Sequence, residues 1–146
     1  MDLGLTGKKV VVTGASKGIG LGVARAMAAE GAAVLLAARN GDALTRRAGE
    51  IAEDFGGEAR GLAVDLSTEV GQQQLADEAK AWDLDILVNN AGAIPGGSIT
   101  DVDDVTWRQA WDLKVFGYIN LCREVLPYLE AKRSGVVLNV IGAAAD

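Results

Sequence analysis

Three glycines within eight residues, Thr13-Gly14-Ala15-Ser16-Lys17-Gly18-Ile19-Gly20, make this the stretch of the chain best suited to chemistry. Without a Cβ in the way, backbone N–H groups can turn toward an anion and approach it, and a helix starting there adds its positive end. The stretch follows the apolar run Val10-Val11-Val12 and leads into a helical pattern. In that setting Gly14 allows a tight turn, Gly18 the close approach of a pyrophosphate, and Gly20 close packing of helix on strand. The spacing G-x-x-x-G-x-G matches neither the usual G-x-G-x-x-G nor the G-x-x-x-x-G-K-[ST] of a P-loop. A glycine-rich turn with no ligand is the plain alternative; the strand-to-helix context favours a nucleotide site, with Ser16, Lys17 and Ile19 in its loop.

Which dinucleotide would bind turns on the end of the second apolar run. An NAD site places an acid there for the ribose hydroxyls. Here the run ends Leu36-Ala37-Ala38-Arg39-Asn40, with no acid at its tip. Arg39 can fork onto a 2′-phosphate and Lys17 can add a second charge, so NADP(H) is expected over NAD(H). A solvated arginine opening the next loop is the plainer reading. On the opposite wall, Asn89 and Asn90 are expected to face the glycine loop, followed by Ala91 and Gly92. Asparagine offers a donor and an acceptor there, though Asn-Asn also reads as a turn after a strand. Asp65, with Leu66 beside it, is placed to accept from an adenine amino group; otherwise it is a helix-start residue beside Ser67-Thr68.

These positions need a scaffold, and the hydrophobic pattern supplies one. Val10–Val12, Val34–Leu36, Leu62–Val64, Ile86–Val88 and Val136–Leu138 are continuous apolar runs, the pattern of strands covered on both faces. Helical segments separate them. The first carries Ile19, Val23, Ala26 and Met27 and closes at Gly31; the second carries Leu44, Ala48, Ile51, Ala52 and Phe55 and stops at Gly56-Gly57. The third, about Thr68 to Trp82, is the least patterned, because Gln72-Gln73-Gln74 carries no apolar information. The fourth carries a stripe of Trp111, Val115, Ile119, Cys122, Leu126 and Leu129. Strand and helix in alternation predict right-handed βαβ crossovers: an α/β, doubly wound parallel (Rossmann) sheet of about five strands, order 3-2-1-4-5, as one domain over residues 1–146.

Composition narrows the function further. With 49% apolar residues, the 146-residue chain can bury a core. Histidine is absent, which removes Ser-His-Asp and Cys-His nucleophiles and imidazole metal sites, and no metal is expected. A net charge of −6 without a basic stripe argues against nucleic acid. No run reaches membrane-spanning length, no signal-peptide pattern opens the chain, and the single Cys122 suits a reducing, cytoplasmic setting.

Taken together, Thr13-Gly14-x-x-x-Gly18-Ile19-Gly20, Asp65 and Asn89-Asn90-Ala91-Gly92, with the entry Leu5-x-Gly7-Lys8, resemble the classical short-chain dehydrogenase/reductase family over residues 5–141. The resemblance covers that family's N-terminal, cofactor-binding half, so the domain is expected to be incomplete at its C-terminus relative to the family. It implies a nicotinamide cofactor and hydride transfer between a carbonyl and an alcohol in a small-molecule substrate. Family chemistry uses a serine, a Tyr-x-x-x-Lys pair and an asparagine. This chain departs from each: seven residues after Trp107, where the asparagine is expected, stands Lys114, and Gly142 stands where the serine is expected. The family tyrosine pair follows the fifth strand, whereas Tyr128-Leu129-Glu130-Ala131-Lys132 precedes it, and is read as a helix-surface pair. The catalytic residues therefore stay unknown at this level, Lys114 being the one ionisable side chain expected near the nicotinamide. The resemblance implies an oxidoreductase whose 146-residue chain is inactive alone. A non-catalytic dinucleotide-binding or regulatory module is the alternative, and a nucleotide-sugar epimerase relative would place the loop glycines differently. Tyr118, Leu121 and Val125 lie outside the stripe of the helix from Trp111 to Leu129, so that helix is expected to pair with a second copy in a homo-oligomer.

Overall fold

In the computed structural model, which describes residues 1–142, strands and helices alternate along the whole chain. The strands are β1 (Lys9–Thr13), β2 (Ala33–Ala38), β3 (Ala59–Ala63), β4 (Ile86–Asn89) and β5 (Val136–Asn139). The helices are α1 (Gly18–Ala29), α2 (Gly41–Phe55), α3 (Glu69–Ala81), α4 (Asp104–Trp111) and α5 (Gly117–Lys132), with a π turn at Asp112–Phe116 joining the last two. All strand pairs are parallel and the sheet order is β3-β2-β1-β4-β5, the doubly wound topology the alternation predicts. The expected domain reaches residue 146, whose last four positions lie outside the described residues.

Strand side chains alternate between two cores because successive residues point to opposite faces. Val10, Val12, Val34, Leu36 and Val88 pack against α1 and α2 with Ala24, Ala28, Leu44 and Ile51. Val11, Leu35 and Leu87 pack against α3 and α5 with Leu75, Leu121, Val125 and Leu129. The sheet is covered on both faces only at its centre: β1, β2 and β4 are buried, whereas β3 and β5 lie at the two edges and are largely open. That corrects the expectation of five fully covered strands. The third strand also starts earlier than its apolar run, at Ala59, and stops before Val64, since pairing with β2 sets its limits and not its hydropathy.

Two helices bury a different face from the one their large side chains suggest. In α1 the buried row is Gly20, Ala24 and Ala28, while Ile19 and Ala26 are exposed. Small residues spaced four apart let that helix lie close on the sheet. In the fourth helical segment the expected stripe fails more sharply. Leu121 (2% exposed) and Val125 (0%) are core, whereas Trp111, Ile119 and Leu126 are 44–50% exposed. The sheet takes the row of α5 spaced by four, Gly117, Leu121, Val125 and Leu129, and leaves the other apolar row of the same segment on its outer side.

The third helix forms where expected, with the Thr68 hydroxyl accepting from the Gly71 N–H as its N-cap and Trp82 as its C-cap. Gln72, from the stretch with no apolar signal, is buried: its Nε2 donates to the Leu66 carbonyl (2.9 Å) and its Oε1 accepts from Asn120 Nδ2 (2.7 Å), joining α3 to α5. Among the described residues no helix is long and apolar enough to cross a membrane.

Candidate functional site

At the carboxyl ends of β1, β2 and β4 lies a cavity of about 970 Å³, within the size range of ligand clefts. Gly14, Ser16, Lys17, Gly18, Ile19, Arg39, Asp65, Leu66, Asn90, Ala91 and Gly92 all line it. Of the residues singled out from the sequence for this cleft, Gly20 and Asn89 do not; Gly20 lies buried beneath the loop, where a Cβ would fall on the Gly14 carbonyl and meet Asn90 Nδ2 at 2.5 Å. At Gly18, by contrast, a Cβ would meet no protein atom within 4 Å, leaving the loop surface open to the cavity, and the φ of +58° disfavours other residues.

A polar knot between β1 and β4 holds the loop. The Thr13 hydroxyl accepts from the backbone N–H of Asn90 (2.8 Å) and of Ala91 (2.9 Å). Asn90 Nδ2 donates to the carbonyls of Thr13 (3.1 Å) and Gly14 (3.4 Å). Asn90 therefore faces the glycine loop as expected. Asn89 does not: it is fully buried and turns toward β5, where its Nδ2 donates to Asn139 Oδ1 at 2.9 Å. Neighbouring side chains leave a strand on opposite sides, so the two asparagines cannot share the cleft.

Asp65 Oδ1 accepts from the Ser67 hydroxyl (2.7 Å) and N–H (3.0 Å), and these bonds, with a smaller pull from the Arg39 charge, hold its carboxyl below the usual range against some opposing desolvation. It is thus an ionised acceptor at the cavity wall. Arg39, Lys17 and Arg46 have no carboxylate within ion-pair distance among the described residues, while Arg47 pairs with Glu50 at 2.9 Å. Sequence reasoning passed over Arg46, Arg47, Asn40 and Ala43, which also line the cavity. Their signal was the helix start right after Arg39, fixed by Asn40 Oδ1 accepting from the Ala43 N–H (3.0 Å).

Lys114 lies in the π turn, with its Cα and Cβ packed against Gly92. Its Nζ donates to Tyr118 Oη (2.7 Å) and to the Val140 carbonyl (2.9 Å), and Tyr118 Oη donates to the same carbonyl (2.9 Å). Burial lowers the Lys114 pKa and pushes the Tyr118 hydroxyl up to about 12. Tyr118 is therefore a polar partner of this cluster and, with the buried Leu121 and Val125, is no surplus apolar surface. Gly142, at the expected serine position, is open to solvent.

The letter-match pair lies at the other end of the sheet. Tyr128 Oη donates to Asp83 Oδ1, and Lys132 Nζ bridges Asp83 and Asp85, each at 3.0 Å, while donating to the Leu84 carbonyl. Asp85 precedes β4, so this pair marks the amino end, away from the cavity.

A doubly wound sheet with a glycine-loop cavity at its switch point defines a nucleotide-binding class of fold. This chain belongs to the short-chain dehydrogenase family, whose model matches residues 8–146. It is 37% identical over 147 aligned residues to a 7alpha-hydroxysteroid dehydrogenase of Escherichia coli, covering 99% of this chain and 57% of that protein. Among solved structures it resembles the L-sorbose reductase of Gluconobacter frateurii complexed with NADPH and L-sorbose (TM-score 0.89, 36% identity, 95% of this chain, 54% of that one). A metagenomic short-chain oxidoreductase in complex with NADP is similar as well (TM-score 0.88, 34% identity, 96% and 64%). The chain thus spans about half the length of the curated relatives it matches, from 39% to 61%.

Proposed function

We propose that residues 1–146 form the NADP(H)-binding domain of an oxidoreductase that moves a hydride between the nicotinamide and a small carbonyl or alcohol substrate. The carrying observation is the cavity itself: an open glycine loop faces Asn90, Ala91 and Gly92, and Lys17 and Arg39, which have no carboxylate within ion-pair distance among the described residues, stand on its wall. The NADPH and NADP held by the two similar structures support the same cofactor. When bound, the cofactor supplies the hydride. Gly14, Ser16, Gly18 and Ile19 would cradle its pyrophosphate, Arg39 and Lys17 its 2′-phosphate, Asp65 and Leu66 its adenine, and Asn90 through Gly92 the nicotinamide ribose. Titration of the chain with NADPH and NADH tests this. NADPH should bind more tightly, and Arg39→Asp should erase or invert the preference; equal affinities in both proteins would remove Arg39 from the reading.

Gly142 and Lys114 support a second reading, a dinucleotide-binding or regulatory module without turnover. Tyr118 already donates its hydroxyl proton to Val140, and Tyr128 is committed to Asp83. NADPH oxidation by the chain with a panel of ketones and aldehydes should therefore be absent, since transfer needs a proton donor within about 3 Å of the carbonyl oxygen. Substrate-dependent oxidation lost in Lys114→Ala would make that lysine the donor. Trp111, Phe116, Ile119 and Leu126 leave an apolar row on the α4–α5 segment half-exposed, supporting association with a second copy through it. Light scattering over a concentration series should show an oligomer; a strict monomer would remove this element of the reading.

A further inference from the structure

Two consecutive arginines on α2, Arg46 and Arg47, line the cavity and are held in opposite ways. The Arg47 guanidinium is committed: Nη1 pairs with Glu50 at 2.9 Å, and Nε donates to the Ser16 carbonyl of the glycine loop at 3.4 Å. Arg46 is exposed and has no carboxylate within ion-pair distance among the described residues, although acids outnumber bases 20 to 14 in the chain. Arg25 and Arg108 each have an acidic partner. Lys17 and Arg39, which also line the cavity, are likewise unpaired among the described residues. The one carboxylate lining it among the described residues, Asp65, spends Oδ1 on Ser67. Like charges gathered on one wall repel one another unless an anion is brought among them.

The placement of α2 says which anion. The helix starts at Gly41, two residues beyond Arg39, at the tip of β2, where the ribose of the adenosine end is read; the pyrophosphate belongs to the start of α1. The Asn40 cap and the buried Leu44 fix the first turns of α2, so Arg46 is presented from a rigid element. A phosphate monoester carries about −1.5 to −2 charges near neutral pH and three acceptor oxygens, enough to engage more than one guanidinium fork.

We propose that Arg46 is a specificity-determining residue that binds the phosphate on the adenosine ribose together with Arg39 and Lys17, and that its neighbour Arg47 is a positioning residue that braces the glycine loop. This rests on the nucleotide reading above. The test is calorimetric titration of the 146-residue chain with 2′,5′-ADP (adenosine 2′,5′-bisphosphate) and 5′-AMP, which differ only in that phosphate.

Arg46→Ala should weaken 2′,5′-ADP about tenfold, the scale of one charge-assisted contact, leave 5′-AMP within about twofold, and flatten the salt dependence of 2′,5′-ADP binding. Arg46→Gln should behave alike. Arg47→Ala should weaken both probes by one common factor with an unchanged melting midpoint, and Arg47→Lys, which keeps a donor for Ser16, should recover most of it. Equal losses for both probes in Arg46→Ala, or none, overturn the Arg46 assignment; a change of preference in Arg47→Ala overturns the brace. If the unmodified chain binds neither probe, the nucleotide reading itself falls. If Arg39→Ala removes the preference while Arg46→Ala keeps it, only the role of Arg46 falls.

Discussion

The segment from the π turn through α5 carries two tyrosine–lysine pairs, each spaced by four, and they live in different worlds. Lys114 and Tyr118 sit at the carboxyl end of the sheet, share the Val140 carbonyl and have no carboxylate partner among the described residues. Tyr128 and Lys132 sit at the amino end, tied to Asp83, Asp85 and the Leu84 carbonyl. The second pair spells Tyr-x-x-x-Lys and is spent on closing the base of the sheet. The first reads in reverse order and borders the cavity through Gly92. Chemistry follows the end of the strand, and letter spacing alone carries none of it.

The contrast between the two ends can be broken by substitution, and the largest effect belongs to the ligand end. Gly18→Val puts a branched side chain into open cavity space at a positive φ, costing about 1–2 kcal/mol of stability. The fold should survive, but titration should detect no binding of NADPH or NADH. Retained binding would mean that the open surface at Gly18 faces no ligand.

Next come the two lysines, with opposite signs. Lys132→Met leaves the two aspartates without their cation and should lower the melting midpoint by about 3 °C, a modest effect because the pair with Asp83 is exposed to water. Lys114→Met removes a charge that burial disfavours and should leave the midpoint unchanged or raise it. Calorimetry that finds Lys114→Met the more damaging would reverse the assignment of which end is structural.

The pH dependence should divide the same way. Burial pushes the Asp85 carboxyl up, but the Lys9 N–H and the Lys132 ammonium outweigh it, so its pKa falls below the ordinary 3.8. A depressed carboxyl contributes stability that is complete above the unfolded value and is lost as pH falls through the folded one. Urea midpoints at pH 7 and near pH 3 should therefore differ less in Lys132→Met than in the unmodified chain. Lys114 acts at the other extreme: its pKa lies below the ordinary 10.5, so its penalty fades as pH rises from the folded value toward that figure. The smallest effect is Tyr128→Phe, which should leave nucleotide binding untouched. If the chain oxidises NADPH with a carbonyl substrate and this variant abolishes it, the distinction between the two pairs fails.

Much of this is legible in the amino-acid sequence. Continuous valine and leucine runs mark the central strands, the doubly wound Rossmann pattern supplies the sheet order, and glycine spacing with Asn90 and Asp65 marks the cavity wall. The losses have physical causes. Helix α5 carries two apolar rows of helical spacing, Ile119-Cys122-Leu126-Leu129 and Leu121-Val125-Leu129, and periodicity alone does not say which one faces the sheet. Hydropathy favours large side chains, so the Gly20-Ala24-Ala28 face of α1 was invisible. A strand run cannot reveal that it lies at an edge, as Val136 and Leu138 do. Asn89 and Asn90 were read as a unit although alternation separates them. Nothing local distinguishes Arg46 from a solvated arginine; only the folded arrangement puts it on the cavity that Lys17 and Arg39 line.

The knot that ties Thr13 and Gly14 to Asn90 and Ala91 joins residues 76 to 78 positions apart. Contacts that distant must await the docking of β1 beside β4, so the cradle is assembled by long-range events and cannot pre-exist in either half of the chain. A nucleotide seated there would hold both halves together. Its binding free energy would then appear as slowed amide exchange along β1 and β4 together, while the open edge β3 kept its own faster opening.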